Sequence, residues 1–400
     1  YGEIFSLYVF GKIITIVGKE TSLEVFSNHQ NFNFLKAVFD TLPLGLLLGR
    51  PHSFFDKIAK VVRDELSNDL GQYTRRIQVA LNKSINKFIG ECKGKQLLMQ
   101  IVAIPMASII VGEDLANDEE LINSFANLTR DIIPALSLPP FLNFIHPSLH
   151  TNFFVQAITD RIIQVIKQCE HKKRDFGSTC EPPANILQLF INLSEKDGIV
   201  DVEEVTDYII DIIFAAIHTT SQAISNVLYE YGARHEYWKE LLEENNRISH
   251  EVKDEYLSIQ EVNKMVRLDS FIRETLRFWQ PIVGLEHKTL NDFYTFSNGR
   301  NVYMYTAEIH DTDPNTNTFD GFQYVEKNFR ATKTGREYIL FGLGRHACPG
   351  RFFAVHTIKI ALYLLIRKYK IVTESKNVVR PVFAGSFILP NSEGLIFENL

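Results

Sequence analysis

The most informative stretch of this sequence is residues 341–354, which read Phe341-Gly342-Leu343-Gly344-Arg345-His346-Ala347-Cys348-Pro349-Gly350-Arg351-Phe352-Phe353-Ala354. It is a glycine-punctuated loop with a cysteine just before an amphipathic, helix-like pattern. Backbone N–H groups at a helix start stabilise a thiolate, and Arg345 and His346 add positive charge. We therefore expect a lowered pKa for Cys348, with Gly344 and Gly350 turning the backbone closely around its sulfur. Such a thiolate serves as a metal ligand or a nucleophile.

Other uses of this cysteine fit the sequence less well. A zinc site needs three or four nitrogen or sulfur ligands at matched spacing, and the His346-x-Cys348 pair stands alone. A cysteine hydrolase needs a histidine base with an orienting partner, and no motif supplies one. The four cysteines are scattered without a C-x-x-C pair, so no disulfide framework is indicated. A buried structural cysteine at a helix start is the plain alternative.

Composition excludes some classes of protein. A net charge of -6 without a basic block argues against nucleic acid as a partner. No stretch reaches the roughly 18 apolar residues that a membrane span needs, since the best run, residues 97–112, is broken by Gln100, Pro105 and Ser108. The chain opens at Tyr1 in a strand-like pattern. We therefore expect that upstream residues, including a membrane anchor, have been lost.

Hydrophobic periodicity predicts one large, mainly helical domain with a small β portion. Two strands are expected within residues 1–20. Helices are expected at 53–110, 118–133, 153–173, from 185, at 202–233, at 260–279 and at 351–369. Strand-like pieces at 285–310 and a loop-rich region at 311–344 come between the last two helices, and strands close the chain. The proline-rich residues 138–147 fit a membrane-touching or channel-mouth loop and a buried inter-helix loop equally well.

The cysteine loop resembles the haem-binding loop of cytochrome P450, Phe-x-x-Gly-x-x-x-Cys-x-Gly, with every fixed position matched. The fuller run is similar to that of fungal members. The resemblance implies haem b as cofactor, with Cys348 as the axial ligand and metal-binding residue, whose thiolate favours O–O cleavage. It also implies that Phe341 shields the sulfur, that His346 contacts a haem propionate, and that Gly342 and Gly350 belong to the cofactor-binding loop.

A Glu-x-x-Arg sequence precedes this loop at Glu274 and Arg277. On a helix, residues three apart share a face and can pair. The sequence resembles the Glu-x-x-Arg motif of cytochromes P450, which implies a structural pair on the helix behind the haem. The family's third partner is an arginine in a later loop, and Gln323 stands in that place here. A neutral amide does not replace a bidentate guanidinium.

A third stretch resembles the family's oxygen-activating helix, Ala/Gly-Gly-x-Asp/Glu-Thr-Thr/Ser. It reads Ala215-Ala216-Ile217-His218-Thr219-Thr220. The resemblance implies that Thr219 delivers protons, that Thr220 follows it, and that Ala215 borders the haem. Two positions depart from the pattern, because Ala216 replaces glycine and His218 replaces the acid. Histidine also relays protons near neutral pH, so His218 joins Thr219 and Thr220 as a catalytic candidate. Threonine hydroxyls next to small residues can also open a groove within a helix.

Two further features concern the haem propionates. His287 falls near the family's second propionate contact, which is usually arginine. The Trp-x-x-x-Arg contact expected in the early helices is absent, because Trp238 and Trp279 are the only tryptophans and both lie elsewhere.

The resemblance implies a mainly α, cytochrome P450-like fold with a small β portion, and haem between the Thr219 helix and the Cys348 loop. It implies one domain over residues 1–400 and a haem-thiolate monooxygenase. That enzyme would insert one oxygen atom from dioxygen into an apolar substrate such as a terpenoid or steroid. Electrons would come from NADPH–cytochrome P450 reductase, with cytochrome b5 as a further candidate donor. The full-length protein would lie at the cytoplasmic face of the endoplasmic reticulum membrane.

Two alternatives stay open. One is a degenerate haem-binding protein, which the departures at Gln323 and His218 and the missing tryptophan motif favour. The other is a haem-thiolate isomerase or dehydratase. Such proteins often lose the oxygen-activating threonine, so the retained Thr219 favours the monooxygenase.

Overall fold

A computed structural model describes most of the chain. The described residues are 3–9, 12–41, 52–89, 96–113, 115–123, 125–126, 159–160, 163–164, 166–167, 185–195, 199–281, 283–312, 318–379, 382–384, 387–389 and 393–400. The proline-rich loop predicted at 138–147 lies outside them, as do most of the helix predicted at 153–173 and part of the one predicted at 118–133.

The chain divides into two compact units. The cysteine-loop unit comprises Tyr1–Gly45, Ala223–Glu255 and Gln260–Leu400, and the helical unit comprises Leu46–Gln222 and Tyr256–Ile259. The single domain predicted over residues 1–400 stays a prediction.

A five-stranded sheet organises the cysteine-loop unit, with strand order β1-β2-β5-β4-β3. Its strands are β1 (Ile4–Val9), β2 (Lys12–Val17), β3 (Phe32–Asn33), β4 (Val283–Thr289) and β5 (Asn301–Tyr305). Only the β2–β5 pair is parallel. The β4–β5 register shifts between Gly284 and His287, which is typical of a bulge. The two predicted amino-terminal strands are therefore confirmed.

One apolar core joins this sheet to the loop around the cysteine. Its buried members are Val17, Val25, Phe26, Phe32, Phe296, Val302, Met304, Ile309 and Ile339, with Leu343 of the cysteine loop packed against them. Alternate residues of β5 are buried, because successive side chains of a strand point to opposite faces. The core therefore holds the base of the cysteine loop against the sheet.

The helices of the cysteine-loop unit begin with α1 (Lys19–Ser27) and α2 (Phe34–Thr41). The helical unit follows with α3 (His52–Val61), a π-helical turn at Val62–Ser67, α4 (Leu70–Phe88), α5 (Gln96–Ile110) and α6 (Ile186–Ser194). The long helix α7 (Val202–Ala233) runs through both units. The helical pattern expected at 53–110 and the bounds expected for α7 are confirmed. Asn185 begins α6 as its N-cap, accepting a hydrogen bond from the Gln188 N–H at 2.8 Å.

The helix predicted at 260–279 is two helices. After α8 (Trp238–Glu251), which the periodicity did not predict, come α9 (Ile259–Asn263) and α10 (Val266–Phe278). The buried Glu244 carboxylate accepts from the N–H groups of Val266, Arg267 and Leu268 at 2.8–3.0 Å. A remote carboxylate therefore caps α10, and it satisfies three donors that a continuous helix would pair internally.

The chain closes with a short helix α11 (Thr306–Ile309), the cysteine loop, α12 (Arg351–Lys368) and four strands. The strands are β6 (Tyr369–Thr373), β7 (Val382–Ala384), β8 (Phe387–Leu389) and β9 (Leu395–Asn399), and they pair as β6–β9 and β7–β8. α12 is buried along most of its length. Within the described part of the chain, no helix combines the length and apolarity that crossing a bilayer requires.

Candidate haem-binding site

Backbone hydrogen bonds fold residues 341–348 into a closed turn. The Cys348 N–H donates to the Phe341 carbonyl at 2.7 Å. Gly342 and Gly344 have φ of 70° and 62°, a region that favours glycine. A side chain at Gly342 would also meet the His346 carbonyl oxygen at 3.3 Å. Gly350 does not use this left-handed region, because it has φ of -84° and begins α12 as its N-cap, but its N–H reaches the Cys348 sulfur.

The electrostatics of Cys348 differ from the sequence-based expectation. Burial raises the pKa of the thiol, although the N–H groups of Gly350 and Arg351 and the Arg351 charge lower it in part. Arg351 is therefore a cation that lowers the pKa of this sulfur. The helix start has the predicted effect, but removal from water outweighs it. A coordinating metal deprotonates a thiol outright, so metal binding would offset this effect of burial.

His287 presents a buried nitrogen without a partner. It lies in β4 with 1% exposure, and its Nδ1 contacts the Leu285 carbonyl oxygen at 3.0 Å. Its Nε2 has no hydrogen-bond partner among the described residues. Burial lowers the pKa of His287 to about 4. A buried imidazole nitrogen left unpaired is costly, so a ligand with an acceptor atom would stabilise it.

Glu274 and Arg277 form a buried ion pair on α10. Arg277 Nε and Nη2 each donate to one Glu274 carboxylate oxygen at 2.8 Å, and Glu274 is 0% exposed. The Asp320 N–H donates to Oε1 at 3.0 Å, and Gln323 Nε2 donates to Oε2 at 2.9 Å. Each carboxylate oxygen thus accepts two hydrogen bonds, which fills its capacity. Gln323 therefore reaches the position of the missing arginine and supplies the fourth donor.

The loop that carries Gln323 is held by aromatic packing. A side chain at Gly321 would meet Phe271 Cδ2 at 2.6 Å and Tyr237 Cε1 at 3.0 Å. The Gly321 N–H donates to the Tyr237 hydroxyl at 3.0 Å. The rings of Tyr237 and Phe322 pack edge to face at 4.9 Å. This close approach of backbone to rings requires glycine at 321 and fixes the loop next to Glu274.

The predicted oxygen-activating residues lie on an unbroken stretch of α7 within the helical unit. The Thr219 hydroxyl donates to the Ala215 carbonyl at 2.6 Å, and both residues are exposed. Thr220 is buried, and His218 is half-buried with a pKa lowered by burial. α7 is a continuous helix through these residues, so the Thr219 hydroxyl bonds to the preceding turn within an unbroken helix.

One functional candidate on this helix was missed. Asp211 is buried in an apolar stretch, and its Oδ2 has no hydrogen-bond partner among the described residues. Burial, followed by repulsion from Asp207, raises the pKa of Asp211 to about 8. A single acid within an apolar helical run was the available signal, because ionised acids are rarely buried alone.

Together these observations fit a haem group. The Cys348 sulfur lies next to the backbone N–H groups of Gly350 and Arg351. The absence of a side chain at Gly342 lets the backbone of the cysteine loop fold closely on itself. His287 offers an anionic group a buried nitrogen that has no partner among the described residues. Separately, within the helical unit, α7 exposes Ala215 and Thr219, a small residue and a hydroxyl. The structure brings Cys348, His346, Phe341 and His287 into the same unit, whereas His218, Thr219 and Thr220 belong to the other.

Comparisons with known proteins agree with this assignment. The family model of cytochrome P450 matches residues 1–396. The cytochrome P450 monooxygenase paxP of Penicillium paxilli is 26% identical over 324 residues, covering 74% of this chain and 62% of the relative. The cytochrome P450 monooxygenase AtmP of Aspergillus flavus is 26% identical over 403 residues, covering 88% of this chain and 76% of the relative. The chain thus spans about three fifths of the length of paxP.

Among solved structures, the retinoic-acid-bound cyanobacterial CYP120A1 superposes with a TM-score of 0.78. The match covers 100% of this chain and 92% of that protein, at 17% sequence identity. Such a likeness establishes the fold, and the predicted mainly α, P450-like fold class is confirmed. The predicted haem b cofactor is confirmed at the level of the family, and the predicted monooxygenase activity stays a prediction. Because the cytochrome P450 family model matches residues 1–396, the chain belongs to the cytochrome P450 family.

Proposed function

We propose that the chain is a haem-thiolate monooxygenase that inserts one oxygen atom from dioxygen into an apolar organic substrate. The observation that carries the proposal is the turn at Phe341–Cys348, which presents one sulfur to backbone donors at the start of α12. Haem, when bound, supplies the activation of dioxygen. The protein contributes the thiolate, a proton path and a site that excludes bulk water.

The cysteine-loop unit would hold the haem. Cys348 is the proposed axial ligand, and Phe341 shields its sulfur. Gly342 and Gly350 shape the backbone next to the ring, since a side chain at 342 would press on the loop itself. His346 and His287 bind the propionates. The unpartnered Nε2 of His287 supports this role, because a carboxylate favours the imidazolium form and gives that nitrogen an acceptor.

On the oxygen side, we assign proton transfer to Thr219, His218 and Thr220. The Thr219 hydroxyl is exposed and donates to the Ala215 carbonyl, so a rotation about its Cα–Cβ bond frees it to donate elsewhere. Burial keeps His218 neutral near pH 7, so it can accept a proton and pass one on. Ala215, being small, leaves room for a ring to approach α7. Histidine thereby replaces the acid that the family pattern places before the threonine.

The proposed substrate is a lipophilic metabolite such as a terpenoid or a steroid. CYP120A1, which shares the fold, has retinoic acid bound, and that ligand is a largely apolar molecule of this type. On α7, the half-buried Phe214 beside the exposed Ala215 offers apolar surface for such a substrate. We further propose NADPH–cytochrome P450 reductase as electron donor, with cytochrome b5 as an additional one. The proposed location of the full-length protein is the cytoplasmic face of the endoplasmic reticulum membrane, with membrane contact there.

The test is the difference spectrum of the dithionite-reduced protein with carbon monoxide. We expect a Soret band strongly red-shifted from that of imidazole-ligated haem, and loss of this band in Cys348→Ser. Cys169→Ser, a cysteine outside the motif, is the matched control and should keep the band. An unshifted band in the wild-type protein would contradict thiolate ligation. Substrate oxidation that requires reductase and dioxygen then separates a monooxygenase from an isomerase or dehydratase.

A further inference from the structure

Asp211 is a buried acid in an apolar part of α7. It is 8% exposed, and its Oδ2 accepts no hydrogen bond from any residue that the structure describes. Other polar side chains of the same helix are satisfied by the backbone. The hydroxyls of Thr206 and Ser221 each donate to a carbonyl of the preceding turn, at 2.8 and 2.6 Å. Asp211 therefore carries a polar atom that its own helix leaves unpaired.

The structural roles that usually explain an acid in a helix do not apply to Asp211. It lies more than two turns after Val202, where α7 begins, so it neither caps the helix nor interacts with its positive end. It forms no ion pair with a cation in the described part of the chain, and its ionisable neighbour Asp207 repels it. Burial, followed by this repulsion, raises the pKa of Asp211 to about 8, so the carboxyl is protonated near pH 7.

The helix places this carboxyl on the same face as two exposed residues. Ala215 and Thr219 follow Asp211 at successive intervals of four, and residues four apart share a helical face. A rise of about 1.5 Å per residue puts Asp211 about 6 Å along the axis from Ala215 and about 12 Å from Thr219. Rotation about the Cβ–Cγ bond exchanges the two carboxyl oxygens, so either one can face a ligand that lies along this surface.

We propose that Asp211 is a specificity-determining residue, whose carboxyl group hydrogen-bonds a hydroxyl or carbonyl oxygen of the lipophilic substrate. This inference rests on the proposed function and narrows its substrate class to a lipophile that already carries oxygen. A protonated acid both donates and accepts, so it suits either oxygen function. A cationic amine would require the ionised form, which burial disfavours. Because the proposed function places Ala215 beside the haem, the substrate would be oxidised at a carbon remote from its existing oxygen.

The experiment measures the binding of menthane and menthol, which share one carbon skeleton, to the haem-loaded protein by equilibrium partitioning and gas chromatography. Asp211→Leu should weaken menthol binding about tenfold, equivalent to about 1.4 kcal/mol, which is typical of one hydrogen bond. It should not weaken the binding of menthane. Asp211→Asn keeps a donor and an acceptor and should bind menthol as the wild type does. Glu203→Leu, at an exposed position of α7, is the control and should change neither affinity.

Three binding results would overturn the proposal. Equal weakening of menthol and menthane in Asp211→Leu would mean that the residue acts through packing, and unchanged menthol binding would mean that it does not contact the oxygen. Menthylamine bound more tightly than menthol, and lost in Asp211→Leu, would mean that the site takes cations instead.

Urea unfolding tests a purely structural role. Replacing an unpaired buried acid with leucine should leave the protein at least as stable as the wild type, and a marked loss of stability would overturn the proposal. A wild-type protein without the thiolate Soret band would overturn the proposed function itself. A normal band with unchanged menthol binding in Asp211→Leu would overturn only the role of Asp211.

Discussion

Replacing Gln323 with leucine removes one of the four hydrogen bonds that the Glu274 carboxylate accepts. Leucine has a similar volume, so the change deletes the amide while keeping most of the packing. The donor lost is Gln323 Nε2, 2.9 Å from Glu274 Oε2. That oxygen keeps the Arg277 Nε contact at 2.8 Å, so the ion pair itself remains. The substitution therefore isolates the amide that stands where the family has arginine.

The expected cost follows from the burial of the acceptor. Glu274 is 0% exposed, so water does not replace the missing donor. A hydrogen bond to a charged group contributes about 1.5–3 kcal/mol, and Gln323 is only half-buried, so we place the loss at about 2 kcal/mol. Gln323→Glu should cost more, and its cost should grow as pH rises through the carboxyl range. Two carboxylates would then face each other next to the buried Glu274 side chain.

The assay is urea unfolding of the haem-loaded protein, followed by the Soret band and by tryptophan fluorescence. Gln280→Leu is the matched control. That glutamine is also half-buried, but it donates only to the neutral Leu276 and Trp279 carbonyls at 2.9 and 3.3 Å. We expect the control to lose about 0.5–1 kcal/mol. A Gln323→Leu loss no larger than that of the control would refute the argument that the amide completes the coordination of Glu274.

Two other predictions concern backbone packing and a buried acid. Gly321→Ala should lower the free energy of unfolding by about 1–3 kcal/mol in the same assay, because the new methyl group would overlap the Phe271 ring. Gly335→Ala is the control and should be nearly neutral, because a Cβ atom there meets nothing within 4 Å. Asp211 has a folded-state pKa of about 8, above its ordinary 3.8. Between these pH values the folded state holds a proton that the unfolded state has lost. The free energy of unfolding therefore falls as pH rises through this range. Asp211→Asn should therefore gain stability relative to wild type by up to about 1.4 kcal/mol per pH unit between pH 5 and 7, and parallel stability curves would contradict this assignment.

Local sequence was enough for features that depend on spacing along the chain. The cysteine loop, the Glu274–Arg277 pair and the bounds of α7 follow from contacts between residues a few positions apart. Helical and strand periodicities also placed α6, α12, β1 and β2. These features are encoded by neighbours, so no knowledge of distant partners is needed to predict them.

Tertiary structure decided what depends on distant residues. The break between α9 and α10 was not predictable from periodicity, because the Glu244 carboxylate that caps α10 comes from another helix. The role of Gln323 likewise became clear only when its amide was found at Glu274, 49 positions away in sequence.

The charge state of Cys348 also depends on residues that are distant in sequence. Sequence alone predicted a lowered pKa for Cys348 from the helix start, which is a local effect. Burial in the folded protein raises that pKa instead. The edge-to-face contact of the His29 and His346 rings also has no sequence signal, because these residues lie far apart in the chain. Spacing thus singled out Cys348 as the proposed iron ligand, whereas desolvation and long-range packing decided the electrostatic environment of its sulfur.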